Sequence, residues 1–381
     1  MAITRVNINP KILTWAIERV GKDVDNFLIL NPKVRQWIEG IKQPTLKELE
    51  KFAKSLYVPF GYLFLDEPPL EECPIPFFRS TTNQQNNLNI YDTVLALQER
   101  QEWLSDYLEN EGEDKLALVG IIDADLNKIE EASLLVHQIM GIPINWAFEH
   151  RSIDDAIKFL ISILEDKGII MSFNGVVGLN NSRPIPVKEC RGFSLIDEYC
   201  PFIFVNNKDA KQAQVFTIFH EFVHILIGYS AGYGDTERGT PQTDLEKFCD
   251  KVAALSLVPS KLFIAEWGKT GEDYEVLSKK FKVSRYVLAR RAKELGLISD
   301  QHYFMLYNRW QNEPIQINQQ ADKNGGNFYP SVLRKTSRTF LAHVNNAVTS
   351  NRLLHLDAYR LTGLKGDTFH KVINSREFSQ A

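Results

Sequence analysis

Between Pro10 and Leu65, apolar residues recur at three- and four-residue spacings in short runs broken by Gly, Asn or Pro. The pattern predicts helices over Lys11–Val20, Val24–Leu30, Pro32–Gly40, Leu46–Leu56 and Phe60–Leu65, with Asn31 and Thr45 as N-caps and Pro32 at a first helical position. Five short helices in about 55 residues make a compact all-α module. A Pro-rich stretch from Asp66 to Pro76 and a polar one from Ser80 to Asn87 follow. Longer amphipathic helices are then predicted over Tyr91–Asn110, Leu126–Met140 and Ile153–Lys167, and read as a helical connector.

After Gly168 the period shortens. Ile169–Phe173, Val176–Leu179, Gly192–Leu195 and Phe202–Val205 are rich in Ile, Val and Phe and are separated by Asn, Gly and Pro, which predicts a small antiparallel sheet. Helical spacing returns at Ala213–Tyr229 and Asp244–Leu257, then at Tyr274–Phe281 and Ser284–Glu294. A loop rich in Gln, Asn and Gly over roughly 311–328 precedes C-terminal helices, of which Asp357–Lys365 is one small unit. The expectation is an α+β, mainly helical chain in four parts: an N-terminal all-α domain (1–66), an acidic linker and helical connector (67–150), a sheet-and-helix domain (151–300) and a C-terminal helical region (301–381).

Length supports this division, since 381 residues exceed one typical core. With 44% hydrophobic and 24% charged residues the composition is that of a globular chain, which excludes wholesale disorder and a membrane bundle. The net charge of −4 excludes a uniformly basic nucleic-acid coat. It is a sum over unlike parts: ten basic against six acidic side chains through Leu65, three against twelve over 66–115, and seven basic residues with no acid between Lys279 and Lys293. The four cysteines form no CxxC pair, which argues against a zinc knuckle or a disulfide framework. With no secretory apolar segment at the N-terminus and no apolar run of about 18 residues, the expected setting is cytoplasmic, away from membranes.

The chemistry concentrates in His220-Glu221-Phe222-Val223-His224, an HExxH on a helix. Positions i and i+4 share a helix face, so both imidazoles can reach one tetrahedral Zn²⁺ while Glu221 contacts the metal-bound water. A third ligand is required, and Glu246 on the next helix can supply it. Asp250, one turn further, can be the carboxylate that fixes a histidine tautomer. Zn²⁺ would lower the pKa of its water and polarise a scissile carbonyl, with Glu221 as the base. Tyr229 and Tyr233, after the helix, are candidates for a second electrophile at the oxyanion, and a peptide would bind as an added strand on an exposed sheet edge.

These residues carry a resemblance. Asn206, Asp209 and Phe216-Thr-Ile-Phe-His-Glu-Phe-Val-His, preceded by Gly192-Phe-Ser-Leu and Pro201-Phe-Ile-Phe-Val-Asn and followed by Glu246-x-x-Cys-Asp, Ala253-Ala254 and Pro259, resemble the ImmA/IrrE family of bacterial and phage zinc metalloendopeptidases over about residues 168–300. The resemblance implies a gluzincin-like core, with His220, His224 and Glu246 on zinc and Glu221 as general base. It also implies a protein substrate, since family members cleave transcriptional repressors. Two positions depart from the family pattern: Ala213-Gln214-Val215 stands where an Arg is usual, and Phe219 where a small residue is usual.

The N-terminal module is similar to the XRE-type helix-turn-helix domains often fused to such proteases, on Asn31-Pro-Lys-Val-Arg-Gln-Trp-Ile-Glu-Gly, Pro44-Thr-Leu, Leu49, Ala53 and Leu56-Tyr-Val-Pro-Phe-Gly-Tyr-Leu-Phe. The resemblance implies a helix from Pro32 in the DNA major groove, with Lys33, Arg35 and Gln36 toward bases or phosphates and Lys42 and Gln43 at the backbone, in a dimer. The same module can equally serve protein binding or dimerisation, with Trp37 in its core. The basic run from Lys279 resembles the helix-turn-helix-like segment after the protease core. Two functions remain: a zinc endopeptidase that cleaves a regulator, or a DNA-binding regulator or antitoxin of a toxin partner, with the protease fold secondary.

Overall fold

The computed structural model describes residues 5–71, 73–75, 84–233, 243–313 and 328–379, and is mainly helical with a small sheet in its middle region. The chain divides into two compact units, Met1–Pro74 with Arg79–Val94, and Ile75–Phe78 with Leu95–Ala381.

The first unit contains α1 (Pro10–Arg19), α2 (Val24–Leu30), α3 (Pro32–Ile38) and α4 (Leu46–Ser55), followed by a 3-10 turn at Phe60–Phe64. Its core is the apolar stripe of α1 (Ile12, Leu13, Ala16, Ile17) against Val34 and Trp37 of α3 and Leu49 and Phe52 of α4. Trp37 is a core residue, meeting Phe52 edge to face at 6.0 Å. Thr45 starts α4 through a capping box with Glu48. Asn31 holds the N-cap position of α3, its carbonyl accepting from the Val34 N–H at 2.9 Å, but its side chain makes no capping bond there: the amide donates back to the Phe27 carbonyl at 2.9 Å and finishes α2. Helix α5 (Gln84–Glu111) starts seven residues before the expected Tyr91, because buried Leu88 and Ile90 extend its apolar face into the polar stretch.

In the second unit, α6 (Ile129–Met140) and α7 (Ile153–Asp166) lead into β1 (Ile170–Asn174), β2 (Val176–Val177), β3 (Asn180–Pro184), β4 (Gly192–Leu195) and β5 (Phe202–Asn206). Helix α8 (Lys211–Ile227), β6 (Ala231–Tyr233) and α9 (Asp244–Leu257) follow. The main sheet runs β1-β5-β4-β6, while β2 and β3 form a separate hairpin. The sheet is mixed rather than antiparallel. β1 pairs with β5 in parallel, Ile170 opposite Phe202, because the connection between them is long enough to bring the chain back in the same direction. The short turn between β4 and β5 gives the expected antiparallel pair, Gly192 opposite Val205.

Helix α8 lies on β4 and β5, and α9 packs on α8 with α6 behind it. His137 of α6 sits buried with its Nε2 2.9 Å from the Ser256 carbonyl of α9. Beyond come α10 (Ser260–Thr270), α11 (Tyr274–Phe281), α12 (Arg285–Glu294) and α13 (Asp300–Gln311), then α14 (Phe328–Thr336), α15 (Arg338–Thr349), α16 (His355–Thr362) and α17 (Asp367–Ile373). Most of the expected loop over 311–328 lies outside the described residues. The outer side of β1 is taken by α14: the Ser172 hydroxyl donates to the Lys335 carbonyl at 2.8 Å. The Ser337 and Thr339 hydroxyls donate to Glu165 at 2.7 and 3.1 Å, and Arg100 Nε donates to the Leu361 carbonyl at 2.8 Å, so the C-terminal helices belong to the same unit as the sheet. No helix among the described residues is long and apolar enough to cross a membrane.

Candidate metal centre

The approach to α8, from the end of β5 to the first turn of the helix, is fixed by polar side chains. Buried Asn206 donates to the Ile185 and Cys190 carbonyls at 3.0 and 2.9 Å, and Asp209 pairs with Arg191 at 2.8 Å. Gln214 Nε2 donates to the Asp209 carbonyl at 2.7 Å, so at the sequence that departs from the family pattern the side chain secures the start of the helix. The other departure, Phe219, is wholly buried and stacks on Trp146 at 5.7 Å; the connector supplies the partner for the larger ring.

Helix α8 then presents His220 and His224, and α9 presents Glu246, all on the inner side of the helix pair. His220 Nε2 and His224 Nε2 stand 3.2 Å apart, His220 Nε2 is 3.4 Å from Glu246 Oε2, and His224 Nε2 is 3.2 Å from Glu246 Oε1. A tetrahedral ion with N and O ligands at about 2.0–2.1 Å places those ligands about 3.3–3.4 Å from one another, so the three donors already have the required spacing. Two ring nitrogens that face each other with a carboxylate beside them, all nearly closed to solvent, are a donor set for a cation, and the residues fit a metal.

Asp250 Oδ1 lies 3.1 Å from the far nitrogen of His220, Nδ1. The carboxylate therefore favours the tautomer with hydrogen on Nδ1 and the lone pair on Nε2, facing Glu246. Without a metal, burial pushes the His220 pKa down, but Asp250 and Glu246 outweigh it and hold the ring well above its usual range. Burial dominates at His224 and lowers it. For Glu246, burial is overcome by the two histidines, which hold the carboxyl below its usual value.

Glu221 projects from the same helix and is fully buried. Burial pushes its pKa up to about 8, against the opposing effect of His220, while Glu246 adds to the rise and the Ser194 hydroxyl reduces it. A carboxyl raised in this way is poised to take and return a proton near neutral pH. The wall opposite is β4. A Cβ on Gly192 would lie 3.4 Å from Glu221 Oε1, and Ser194 is wholly buried two residues further along. The proximity of Gly192 and Ser194 to Glu221 is not written in the motif; their only signal is the alternation of small residues along a strand placed before an HExxH helix.

Tyr229 follows the Gly228 cap of α8, donates its backbone N–H to the His224 carbonyl at 3.2 Å and is 44% exposed. The Tyr233 side chain lies outside the described residues. In the first unit Lys33, Arg35 and Lys42 are exposed and Gln36 and Gln43 are half-buried. Lys33 lies 3.7 Å from Glu48 and Arg35 3.9 Å from Glu39, while the Gln43 carbonyl accepts from Arg5. The basic run from Lys279 is largely paired: Lys280 with Glu266, Arg285 with Glu275 and Glu313, Arg290 and Arg291 with Glu294, and Lys293 with Asp300.

Residues 181–293 match the family model Peptidase_M78, described as the IrrE N-terminal-like domain, and this segment is accordingly of the ImmA/IrrE type, a metalloprotease-type family. Residues 336–380 match a domain of unknown function, DUF8813. No curated protein matches the chain.

Proposed function

From a peptidase-type segment whose three donor atoms already stand at metal spacing, we propose that the chain is a zinc-dependent endopeptidase that regulates transcription by cleaving a repressor or other regulator protein. The observation that carries this reading is the His220, His224 and Glu246 set, with Asp250 behind His220 and Glu221 beside it. Two imidazoles and one carboxylate in tetrahedral spacing suit zinc and leave a fourth position open. When bound, zinc would act as a Lewis acid on the peptide carbonyl and lower the pKa of its water. Glu221 would take the proton of the attacking water and return it to the leaving amine, its carboxylate form being favoured once a cation stands beside it. Asp250 keeps His220 in one orientation through the reaction. Because α14 occupies the outer side of β1, a peptide added as a strand would pair on the β6 side of the sheet, next to the β4 residues that face Glu221.

The test is to compare the wild-type chain with Glu221→Gln for processing of the regulator encoded by a neighbouring gene, alongside metal analysis of both. Cleavage by the wild type alone, with about one zinc per chain in each, supports the reading. Equal behaviour of the two zinc-loaded proteins overturns it.

The exposed Lys33, Arg35 and Lys42 favour a second role, DNA binding by the first unit, which would recruit the peptidase to its target or act as a regulator or antitoxin in its own right. The reading expects retardation of the chain's own promoter fragment, weakened by Lys33→Ala and Arg35→Ala, with a salt slope shallower by about 0.9 for each phosphate that is no longer neutralised. Absence of retardation at low salt sinks the DNA role and leaves the peptidase untouched.

A further inference from the structure

Successive side chains of a strand alternate in direction, so Gly192 and Ser194 share the face of β4 that packs on α8. At Gly192 the strand backbone approaches Glu221 closely enough that a Cβ would stand 3.4 Å from its Oε1. Ser194 is entirely buried, and apart from Glu221 its Oγ has no hydrogen-bond partner among the described residues. Glu221 is entirely buried too, and apart from Ser194 neither of its carboxylate oxygens has a hydrogen-bond partner among those residues. A lone buried donor therefore sits on the strand face that meets a buried acceptor lacking any other partner. Each group has strong physical reason to use the other.

We propose that Ser194 is a positioning residue for Glu221: its hydroxyl donates to the carboxylate oxygen nearer β4, which leaves the second oxygen directed at the reacting water. The inference rests on the reading of Glu221 as the general base. A carboxylate on a three-torsion side chain has several orientations in a cavity, and a base acts only when its free oxygen lies within hydrogen-bond reach of the proton it takes. One bond from β4, itself held in the sheet, removes that freedom.

The test uses the full chain loaded with zinc and a quenched fluorescent peptide spanning the bond cut in the neighbouring-gene regulator. Ser194→Ala is expected to lower kcat on the order of 10- to 100-fold with KM and zinc content unchanged, as misdirection of a group that acts on the transition state requires. A parallel measurement needs no turnover. In denaturant unfolding, the effect of Ser194→Ala on stability is expected to differ between the wild-type and Glu221→Gln backgrounds, because the partner of the hydroxyl differs. Wild-type turnover in Ser194→Ala, or stability effects that simply add, overturns the inference. If Glu221→Gln itself retains full turnover, the general-base reading fails instead; if Glu221→Gln is inactive while Ser194→Ala is fully active, the positioning role alone fails.

Discussion

Gly192 and Glu221 meet where β4 crosses α8, and the meeting depends on the missing side chain. A Cβ at position 192 would lie 2.4 Å from Thr217 Cγ2, 2.7 Å from the Phe204 carbonyl oxygen and 3.4 Å from Glu221 Oε1. Two of these distances are shorter than van der Waals packing allows, and one is to backbone that cannot rotate away. Gly192→Ala is expected to destabilise the fold by about 1–3 kcal/mol, the usual cost of overpacking, and to weaken metal binding by moving α8. Thr217→Ser, which removes the clashing methyl, should recover part of the loss but not all, since the Phe204 carbonyl remains. Urea unfolding of the two single variants and the double variant checks this, and full recovery would show that the strand backbone is not the limiting neighbour.

The 3.1 Å approach of His220 Nδ1 to Asp250 Oδ1 acts on a metal only through the ring. Asp250→Asn keeps the size of the side chain and removes the charge that holds the tautomer. Zinc affinity is expected to fall about 10- to 100-fold, the usual range when a ligating histidine is deprived of its partner. Competition with a chromophoric chelator measures it. An unchanged affinity would assign Asp250 to packing alone.

The legibility of these parts differs for physical reasons. The HExxH helix and the helix of Glu246 are readable because a helix places i and i+4 on one face, so spacing in the chain is spacing in space. The direction of β1 is not, since parallel pairing with β5 is decided by a distant segment and leaves no local mark. Strand β3, Asn-Asn-Ser-Arg-Pro, has no apolar alternation to reveal it, and β6, Ala-Gly-Tyr, is too short to show a period. Helix α10 leaves little trace, with Gly268 inside it and apolar positions spread around its circumference. The link between Ser194 and Glu221 belongs to the same class: it arises from a strand crossing a helix 27 residues later, a relation that spacing does not encode.

His137 ties α6 to α9 from outside the metal set. Burial lowers its pKa from 6.5, against hydrogen bonding to the Ser256 and Ile142 backbone. Between that depressed folded pKa and 6.5 the unfolded chain binds a proton that the folded chain refuses, so stability falls as the pH drops through 6.5 and levels off once the folded form also takes the proton. His137→Gln cannot titrate. Its stability is therefore expected to vary less than that of the wild type between neutral and mildly acidic pH, in denaturant melts at matched salt; identical pH curves would remove His137 as a source of acid sensitivity.

Metal loading should itself release protons. In the metal-free chain Asp250 and Glu246 hold His220 well above its usual pKa, so near neutral pH a proton competes with the cation for the Nε2 lone pair. A metal can use His220 Nε2 only as a lone pair, and the proton must leave as the ion enters. Zinc affinity is accordingly expected to rise about tenfold per pH unit for each proton displaced, in the range where His220 remains protonated in the free form. Calorimetric titration in two buffers of different ionisation enthalpy counts the protons directly, and at least one is expected at pH 7, with Glu221 able to add a second because its carboxyl is raised to about 8 in the metal-free chain. Glu246→Gln removes one of the two carboxylates that hold the proton, so both the count and the zinc affinity should fall together. A proton count of zero in the wild type would mean that the free site keeps both histidines neutral, and that Asp250 and Glu246 do not control the charge of His220.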